Sequence, residues 1–245
     1  MTTWNPWHGC TKISAGCRNC YMYRRDAEFG KDSSIVTRTA SFSLPLKKDR
    51  HGQYKIKPED GTVYTCFTSD FFHPDADEWR AQAWEIIRQR PDLTFFIVTK
   101  RPERFFISLP SDWRQGWDNV HICVTCENQY QAETRLPLFL NLPILHKSVI
   151  AEPLLQRITL SRIFEKYPGM IEQVICGGES GPNARMCDYS WVVDLMMDCV
   201  CHDVPFHFMQ TGSLFKKGSR LYHIDSHPEQ IRQAEKAAIN YCPAH

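Results

Sequence analysis

Three cysteines, Cys10, Cys17 and Cys20, stand close together in the stretch WHGCTKISAGCRNCY at residues 7–21. Thiols this dense in a loop containing Gly9 and Gly16 suit a metal better than a core. A disulfide takes two of them and a structural zinc takes four ligands, so three is a number that leaves a position open. Cys17 and Cys20 have the two-residue gap of a metal knuckle, and His8 is the nearest fourth ligand for zinc. His8, however, is only two residues from Cys10, and no second Cys-x-x-Cys or His pair follows at finger-like distance. Two arrangements use an open position directly. One is a catalytic zinc with three protein ligands and a water. The other is a four-iron cubane on three thiolates, whose fourth iron can chelate a small molecule. Three loop thiols without a metal are the plain alternative.

The remaining chemistry-bearing residues collect behind apolar runs. Ser69-Asp70-Phe71-Phe72-His73-Pro74 follows the first run, and Thr99-Lys100-Arg101-Pro102-Glu103-Arg104 follows the second. Glu127-Asn128, Glu152-Pro153, Gly177-Gly178-Glu179-Ser180-Gly181 and Gln210-Thr211-Gly212 follow the next four. Lys100, Arg101 and Arg104 are the densest cation group among them and suit a carboxylate or phosphate. Pro102 favours the first turn of a helix, whose N-terminus would add to an anion site. Asp70, His73, Glu127, Glu152 and Asn128 are candidate substrate or acid–base groups, with His73 read as a structural histidine. Gly177 and Gly178 allow close backbone approach, and Glu179 and Ser180 offer polar groups to a ligand.

The runs themselves are the elements that must position these groups. Val63–Thr68, Phe95–Val98, His121–Thr125, Ser148–Ala151, Gln173–Cys176 and Pro205–Phe208 are short, β-rich and bounded by Gly, Pro or polar residues. Their starts recur at about the length of one β-α unit. Between them, DEWRAQAWEIIRQR carries Trp79, Ala83, Ile86 and Ile87 at helical spacing, and SWVVDLMMDCVCHD carries Val192, Leu195, Met196 and Cys199. A last helix opens at Pro228 and spans about 227–241. Residues 30–60 read as an irregular insertion, with room for a hairpin. The expected fold is α/β: an incomplete (β/α) barrel of six or seven parallel strands, one domain over 1–245. In such a fold the strand C-terminal ends meet at one mouth, where sites are built.

The bulk numbers narrow the class. The chain has 245 residues and a formal net charge of +1, so no global charge steers it to nucleic acid. No apolar stretch is long enough to span a membrane and no basic-then-apolar leader opens the chain, so a cytoplasmic protein with no membrane partner is expected. Most of its eleven cysteines should then be reduced thiols. Cys66, Cys123 and Cys176 lie in apolar runs as small hydrophobes. Cys123 and Cys126 have redox-pair spacing, but on a strand they point to opposite faces. Cys199 and Cys201, two apart on a helix, share no face.

An iron–sulfur loop at the start of a β-α barrel resembles the radical S-adenosylmethionine enzymes. Their usual spacing is Cys, three residues, Cys, two residues, Cys, with an aromatic before the last cysteine. Here the first gap is six and Tyr21 follows the last cysteine. That departure resembles a family of phage-associated and bacterial three-cysteine-motif proteins described as radical-SAM-like. The matching phrases are WNPWHGCTKISAGCRNCY (4–21), FTSDFFHP (67–74), VTKRPERF (98–105), AEPLL (151–155), VICGGESGPNARMC (174–187) and VPFHFMQTG (204–212). The resemblance implies a [4Fe–4S] cluster on Cys10, Cys17 and Cys20, with S-adenosylmethionine on the open iron. Gly177-Gly178-Glu179 is similar to a Gly-Gly-Glu motif that contacts the cofactor's amino group, although here it follows a late strand. Ser180, Lys100, Arg101 and Asn128 join it as cofactor-contact candidates. A flavodoxin or ferredoxin would then supply electrons, and the substrate is left open. Two other readings compete: a zinc or cluster barrel with Lewis-acid chemistry, and a phage or defence nucleic-acid-binding module with a structural metal. In the last, the KRPER loop with Phe105 and Phe106 would meet the nucleic acid.

Overall fold

Six apolar runs become strands because their side chains are buried on alternate positions or on both faces. Phe95–Thr99 alternates strictly, whereas Gln173–Gly177 is buried at every residue after the first. The computed structural model describes residues 2–243. Its strands are β1 (Thr2–Trp4), β2 (Trp7–His8), β3 (Thr37–Arg38), β4 (Val63–Thr65), β5 (Phe95–Thr99), β6 (Val120–Thr125), β7 (His146–Ala151), β8 (Gln173–Gly177), β9 (Cys187–Asp188), β10 (Phe206–Gln210), β11 (Leu214–Lys217) and β12 (Arg220–His223). The helices are α1 (Tyr21–Glu28), α2 (Asp77–Arg88), α3 (Gln129–Leu140), α4 (Ser161–Lys166), α5 (Tyr189–Cys201) and α6 (His227–Ala237).

Seven strands form one parallel sheet in the order β1-β4-β5-β6-β7-β8-β10, curled as an incomplete (β/α) barrel and flanked by helices. The seventh strand is β1, which pairs in parallel with β4 through Thr2–Trp4 against Val63–Thr65. Three residues are too few to show a period, so this strand has no signal of its own in the sequence. β11 pairs antiparallel with β12 and parallel with β9 in a small separate sheet. Among the described residues, no helix is long and apolar enough to cross a membrane.

The chain divides into two compact units. The first comprises Met1–Thr11, Arg25–Cys123 and Leu142–His146. Its core is aromatic: Trp4 packs on Phe95, Trp7 on Phe71, and Phe71, Trp84, Trp113 and Phe105 continue the stack at centroid distances of 4.7–5.7 Å. Trp84 is fully buried on α2 in company with Ala83, Ile86 and Ile87, whereas Trp79, placed on the same face by helical spacing, is only half-buried. The insertion at 30–60 is tied to this core by the buried Arg90. It donates to the carbonyls of Pro45 and Ile56, pairs with Asp92, and lies over the Tyr54 ring at 4.0 Å. Its expected hairpin is reduced to an isolated antiparallel bridge between Lys48 and Tyr54.

The second unit comprises Lys12–Arg24, Val124–Asn141 and Lys147–His245. Leu136 and Phe139 on α3, Val174 and Cys176 on β8, and Val192, Leu195 and Cys199 on α5 fill its interior. The last helix ends at Ala237 rather than near residue 241. Ala238 takes a left-handed conformation (φ +49°), and Tyr241 then pairs with Phe206 as a bridge. The helix expected after Pro102 is one 3₁₀ turn, Pro102–Arg104. Arg104 donates to Phe72 O and pairs with Asp77 at 2.6 Å, which holds the turn against α2. An anion site at a helix N-terminus is therefore absent there.

Candidate functional site

The loop carrying the three cysteines is built from backbone that needs outside partners, because it contains little regular structure. Gly9 starts it at φ +99°, where a Cβ would lie 2.3 Å from the Ile35 carbonyl oxygen, so only glycine fits. Gly9 N donates to Thr68 O, Cys10 N donates to Ser33 O, and Ser69 Oγ donates to Gly9 O. Trp4 and Trp7 are fully buried beneath it.

In the first unit, the groups behind β4 and β5 converge on Cys10 and Thr11. Arg101 is 4% exposed yet makes four contacts. Its Nη1 donates to Asp70 Oδ2 at 3.2 Å and toward Cys10 Sγ at 3.7 Å. Its Nη2 donates to the Thr11 carbonyl at 2.9 Å and to Thr11 Oγ1 at 3.0 Å. Burial works against the charge of Arg101, but Asp70 and Cys10 more than offset it and raise its pKa above the ordinary value. Asp70 also accepts from Thr99 Oγ1, Lys100 N and Phe72 N. Asp70 is thus the post on which the strand ends and Arg101 are fixed.

His73 caps the turn Pro74–Ala76, its Nδ1 accepting from Asp75 N at 3.2 Å, while Nε2 lies 3.0 Å from Thr11 Oγ1. Burial first, and then Arg101, hold His73 below the usual histidine range, so it is neutral near pH 7. Its two ring nitrogens thus face the turn on one side and Thr11 of the cysteine loop on the other. Lys100 contributes its backbone N–H to Asp70. Arg104 belongs to Asp77 and takes no part in the cluster.

In the second unit the same loop is held from Ser14 onward by two buried carboxylates. Glu127 is fully buried at the end of β6. It accepts from Gly16 N at 3.0 Å and pairs with Arg135 of α3 at 2.9 Å. Burial pushes Glu127 up, but Ser14, the Gly16 N–H and Arg135 outweigh it and hold the group below the ordinary glutamate value. A Cβ on Gly16 would come within 3.1 Å of the Glu127 carboxyl, so this glycine lets backbone and carboxylate meet. Glu179, after β8, takes both Nε and Nη2 of Arg185 and also accepts from Asn19 Nδ2 at 3.0 Å. Burial raises Glu179, and Arg185 and Asn19 overcome that to leave it low. Asn19 stands next to Cys20, so Glu179 acts on the cysteine loop too.

Other expected site residues are committed elsewhere. Asn128 is the N-cap of α3, accepting from Gln131 N at 2.9 Å. Glu152 meets Gln210, and Ser180 meets Gln210 and Gln230. The room left by the two glycines is filled by protein. A Cβ on Gly177 would lie 2.8 Å from Glu152 Cδ, and one on Gly178 would lie 2.1 Å from Thr211 O. His8, weighed as a zinc ligand, gives its Nε2 to Asp26 at 2.7 Å, and Ser33 Oγ donates to the same carboxylate oxygen. In the KRPER loop Phe105 is buried against Phe72 and Trp113, while Phe106 is exposed.

Thr11, Thr99, Asn19, Arg135 and Arg185 are site residues that the sequence does not announce. Arg135 lies within a helix and Arg185 beyond a turn, where a lone arginine is indistinguishable from a solvated one. Among the described residues, no three His, Cys, Asp or Glu side chains are already arranged to hold a metal ion. Six cysteines, Cys66, Cys123, Cys126, Cys176, Cys187 and Cys199, are buried; Cys10, Cys17 and Cys20 are half-buried, and Cys201 and Cys242 are exposed. Burial pushes the thiol of Cys187 up to about 12 and those of Cys66 and Cys176 well above the ordinary value.

No curated protein and no solved structure matches the chain. A family model does match, over residues 1–239, and on that near-complete coverage the chain belongs to the family described as Protein of unknown function (DUF5131).

Proposed function

We propose that Cys10, Cys17 and Cys20 hold a [4Fe–4S] cluster, that S-adenosylmethionine binds at its open iron, and that the protein is a radical-SAM-like enzyme. The relationship to those enzymes, and to phage-borne relatives, rests on the six sequence phrases. The observation that carries the reading is the different treatment of the cysteines. Six are sealed in the interior, while the three of the motif lie half-buried in one loop that is anchored by Asp70–Arg101, Glu127–Arg135 and Glu179–Arg185. A loop of bare thiols gains nothing from three ion pairs on buried carboxylates, whereas a loop that must deliver ligands needs its backbone held.

The donor set fits the group: three thiols and no competing carboxylate within the motif. Reductive cleavage of the cofactor's sulfonium is the chemistry such a cluster supplies when bound. The chain's own residues do the rest. Arg101 donates to the Cys10 sulfur, a contact that tunes a ligand sulfur. Glu127 fixes Gly16 beside Cys17, and Glu179 fixes Asn19 beside Cys20. Lys100, with no side-chain hydrogen-bonding partner among the described residues, is the cation free to meet an anionic ligand group. A flavodoxin or ferredoxin would be the electron source.

The test is anaerobic purification and reconstitution with iron and sulfide, followed by metal analysis. About four irons per chain are expected, lost on changing any one of Cys10, Cys17 or Cys20 to Ala. Reduction in the presence of S-adenosylmethionine should then yield 5′-deoxyadenosine. A colourless zinc protein that takes up no iron overturns the cluster. A reducible cluster that forms no 5′-deoxyadenosine overturns the radical chemistry alone.

A further inference from the structure

Charge is unevenly spread along the chain. Residues 37–57 hold six Lys or Arg, namely Arg38, Lys47, Lys48, Arg50, Lys55 and Lys57, against one acid, Asp49, while the net charge of the whole is +1. The rest of the chain is therefore net acidic. All six cations are exposed. Lys57 meets Glu59 at 3.9 Å, and the other five form no ion pair among the described residues. The Asp49 carboxylate is turned to the backbone, accepting from His51 N at 2.7 Å and Gln53 N at 3.0 Å, and so builds the turn between the lysines.

A run of like charges is ordinarily a solvated, disordered stretch. This one is fixed. Lys55 N donates to Lys47 O at 2.9 Å and Asp49 N to Gln53 O at 2.8 Å, which closes Lys47–Lys55 into a short arm. Arg90, 1% exposed, holds the chain on either side of the arm through the carbonyls of Pro45 and Ile56. The Tyr54 ring takes Arg90 at 4.0 Å and Lys48 at 4.8 Å. A solvated loop gains nothing from a buried arginine, whereas a loop that must present its cations in one arrangement does.

The arm leads into a groove of about 910 Å³ in the same unit. Ser41 and Leu44 line it, and Lys47 Nζ donates to Ala40 O at 3.1 Å beside them. Arg25, Phe29, Lys31 and Ile35 line it too. Phe29 is 70% exposed and Ile35 60%, so apolar surface stands open in a groove flanked by cations. The acids there are committed, Asp26 to His8 and Ser33, and Asp32 to the N–H and Oγ of Ser34. Arg25 and Lys31 form no ion pair among the described residues.

Phosphates need cations at intervals, and unpaired bases need an open ring to stack on. This surface offers both. A duplex hides its base faces and would leave Phe29 and Ile35 unused. A membrane needs apolar side chains to enter it beside the cations, and none of the large ones in 37–57 is exposed. The KRPER loop has neither property, since Arg101 and Phe105 are buried and Arg104 is paired with Asp77. We propose that residues 37–57 and the groove at Phe29 form a binding surface for single-stranded nucleic acid, with the arm's cations on phosphates and Phe29 under a base. The inference holds whether or not the cysteines bind iron.

The test is fluorescence anisotropy of the full chain with fluorescein-labelled dT and rU strands at about 50 and about 200 mM salt. Saturable binding that weakens with salt is expected for one strand or both, and the comparison tells DNA from RNA. Lys47→Gln, Lys48→Gln and Lys55→Gln together should make the plot of log affinity against log salt shallower by about 2, since each phosphate contact on a single strand contributes about 0.7. Phe29→Ala should weaken binding about ten-fold and leave that slope unchanged. Arg162→Gln, Arg220→Gln and Lys236→Gln remove the same charge from exposed positions elsewhere and should leave binding as it was. Every substituted side chain is exposed, so the fold should survive, as circular dichroism will read. No binding at the lower salt, or an equal loss in both triple variants, overturns the proposal. Phosphatidylserine vesicles or polyglutamate bound as tightly as the strands overturn it too, because the surface would then select a membrane or any polyanion.

Discussion

The Glu127–Arg135 pair is the sharpest place to test how the cysteine loop is held. Glu127→Gln keeps the shape and leaves an oxygen for the Gly16 N–H, but it strands the Arg135 charge. Glu127 is fully buried and Arg135 is 6% exposed, so solvent cannot repair the loss. Removing one partner of a buried pair costs about 3–5 kcal/mol. For a chain of this size that is a fall of roughly 6–20 °C in melting temperature. Glu127→Ala also loses the 3.0 Å bond from Gly16 N, adding about 1 kcal/mol. The double variant Glu127→Gln, Arg135→Met removes both charges and should recover most of the single-variant loss. The assay is urea unfolding followed by tryptophan fluorescence and circular dichroism, with the three variants forming a cycle. A single-variant loss under about 1 kcal/mol, or losses that simply add in the double variant, would show that this carboxylate does not anchor the loop.

The remaining expectations are independent of that pair. His73 is neutral in the folded protein and lowered in pKa, so its contribution is whole above the unfolded histidine value of about 6.5 and is lost as pH falls from there toward the lowered folded value. The slope reaches at most about 1.4 kcal/mol per pH unit, and His73→Gln should flatten a plot of stability against pH in that window. In the apo protein, iodoacetamide should label Cys10, Cys17, Cys20, Cys201 and Cys242 while the six buried cysteines resist, read by peptide mass spectrometry. Reconstitution with iron and sulfide should then protect the first three only; equal labelling before and after would count against a metal on the loop. Gly178→Ala places a methyl 2.1 Å from Thr211 O, backbone against backbone, and should cost about 1–3 kcal/mol in a thermal melt. A neutral result there would mean that the β8 and β10 ends are not packed as closely as they stand.

The repeating units of the barrel were legible because a half-buried or fully buried strand leaves a local pattern. Val63, Phe95, His121 and Gln173 each open a run of strand length, and the structure pairs these runs in one sheet. The three-cysteine motif was legible for a similar reason, since ligand spacing is local. The position of the polar groups behind each strand followed from the same rhythm. What those groups do was decided by tertiary structure. Asp70, Glu127 and Glu179 read as open acids, but each is paired with an arginine at Arg101, Arg135 or Arg185. Arg135 is eight residues from its carboxylate and Arg101 thirty-one, and nothing in residue type tells a buried arginine from a solvated one. Gly177 and Gly178 gave the same signal whether a ligand or the protein itself filled their space, and the protein fills it with Glu152 and Thr211. β1 and the end of α6 escaped because three residues carry no period and because a left-handed alanine, Ala238, has no preference in its type for that turn. Sequence patterns report what each residue needs from its neighbours in the chain; partners dozens of residues away are chosen only when the strands bring them together.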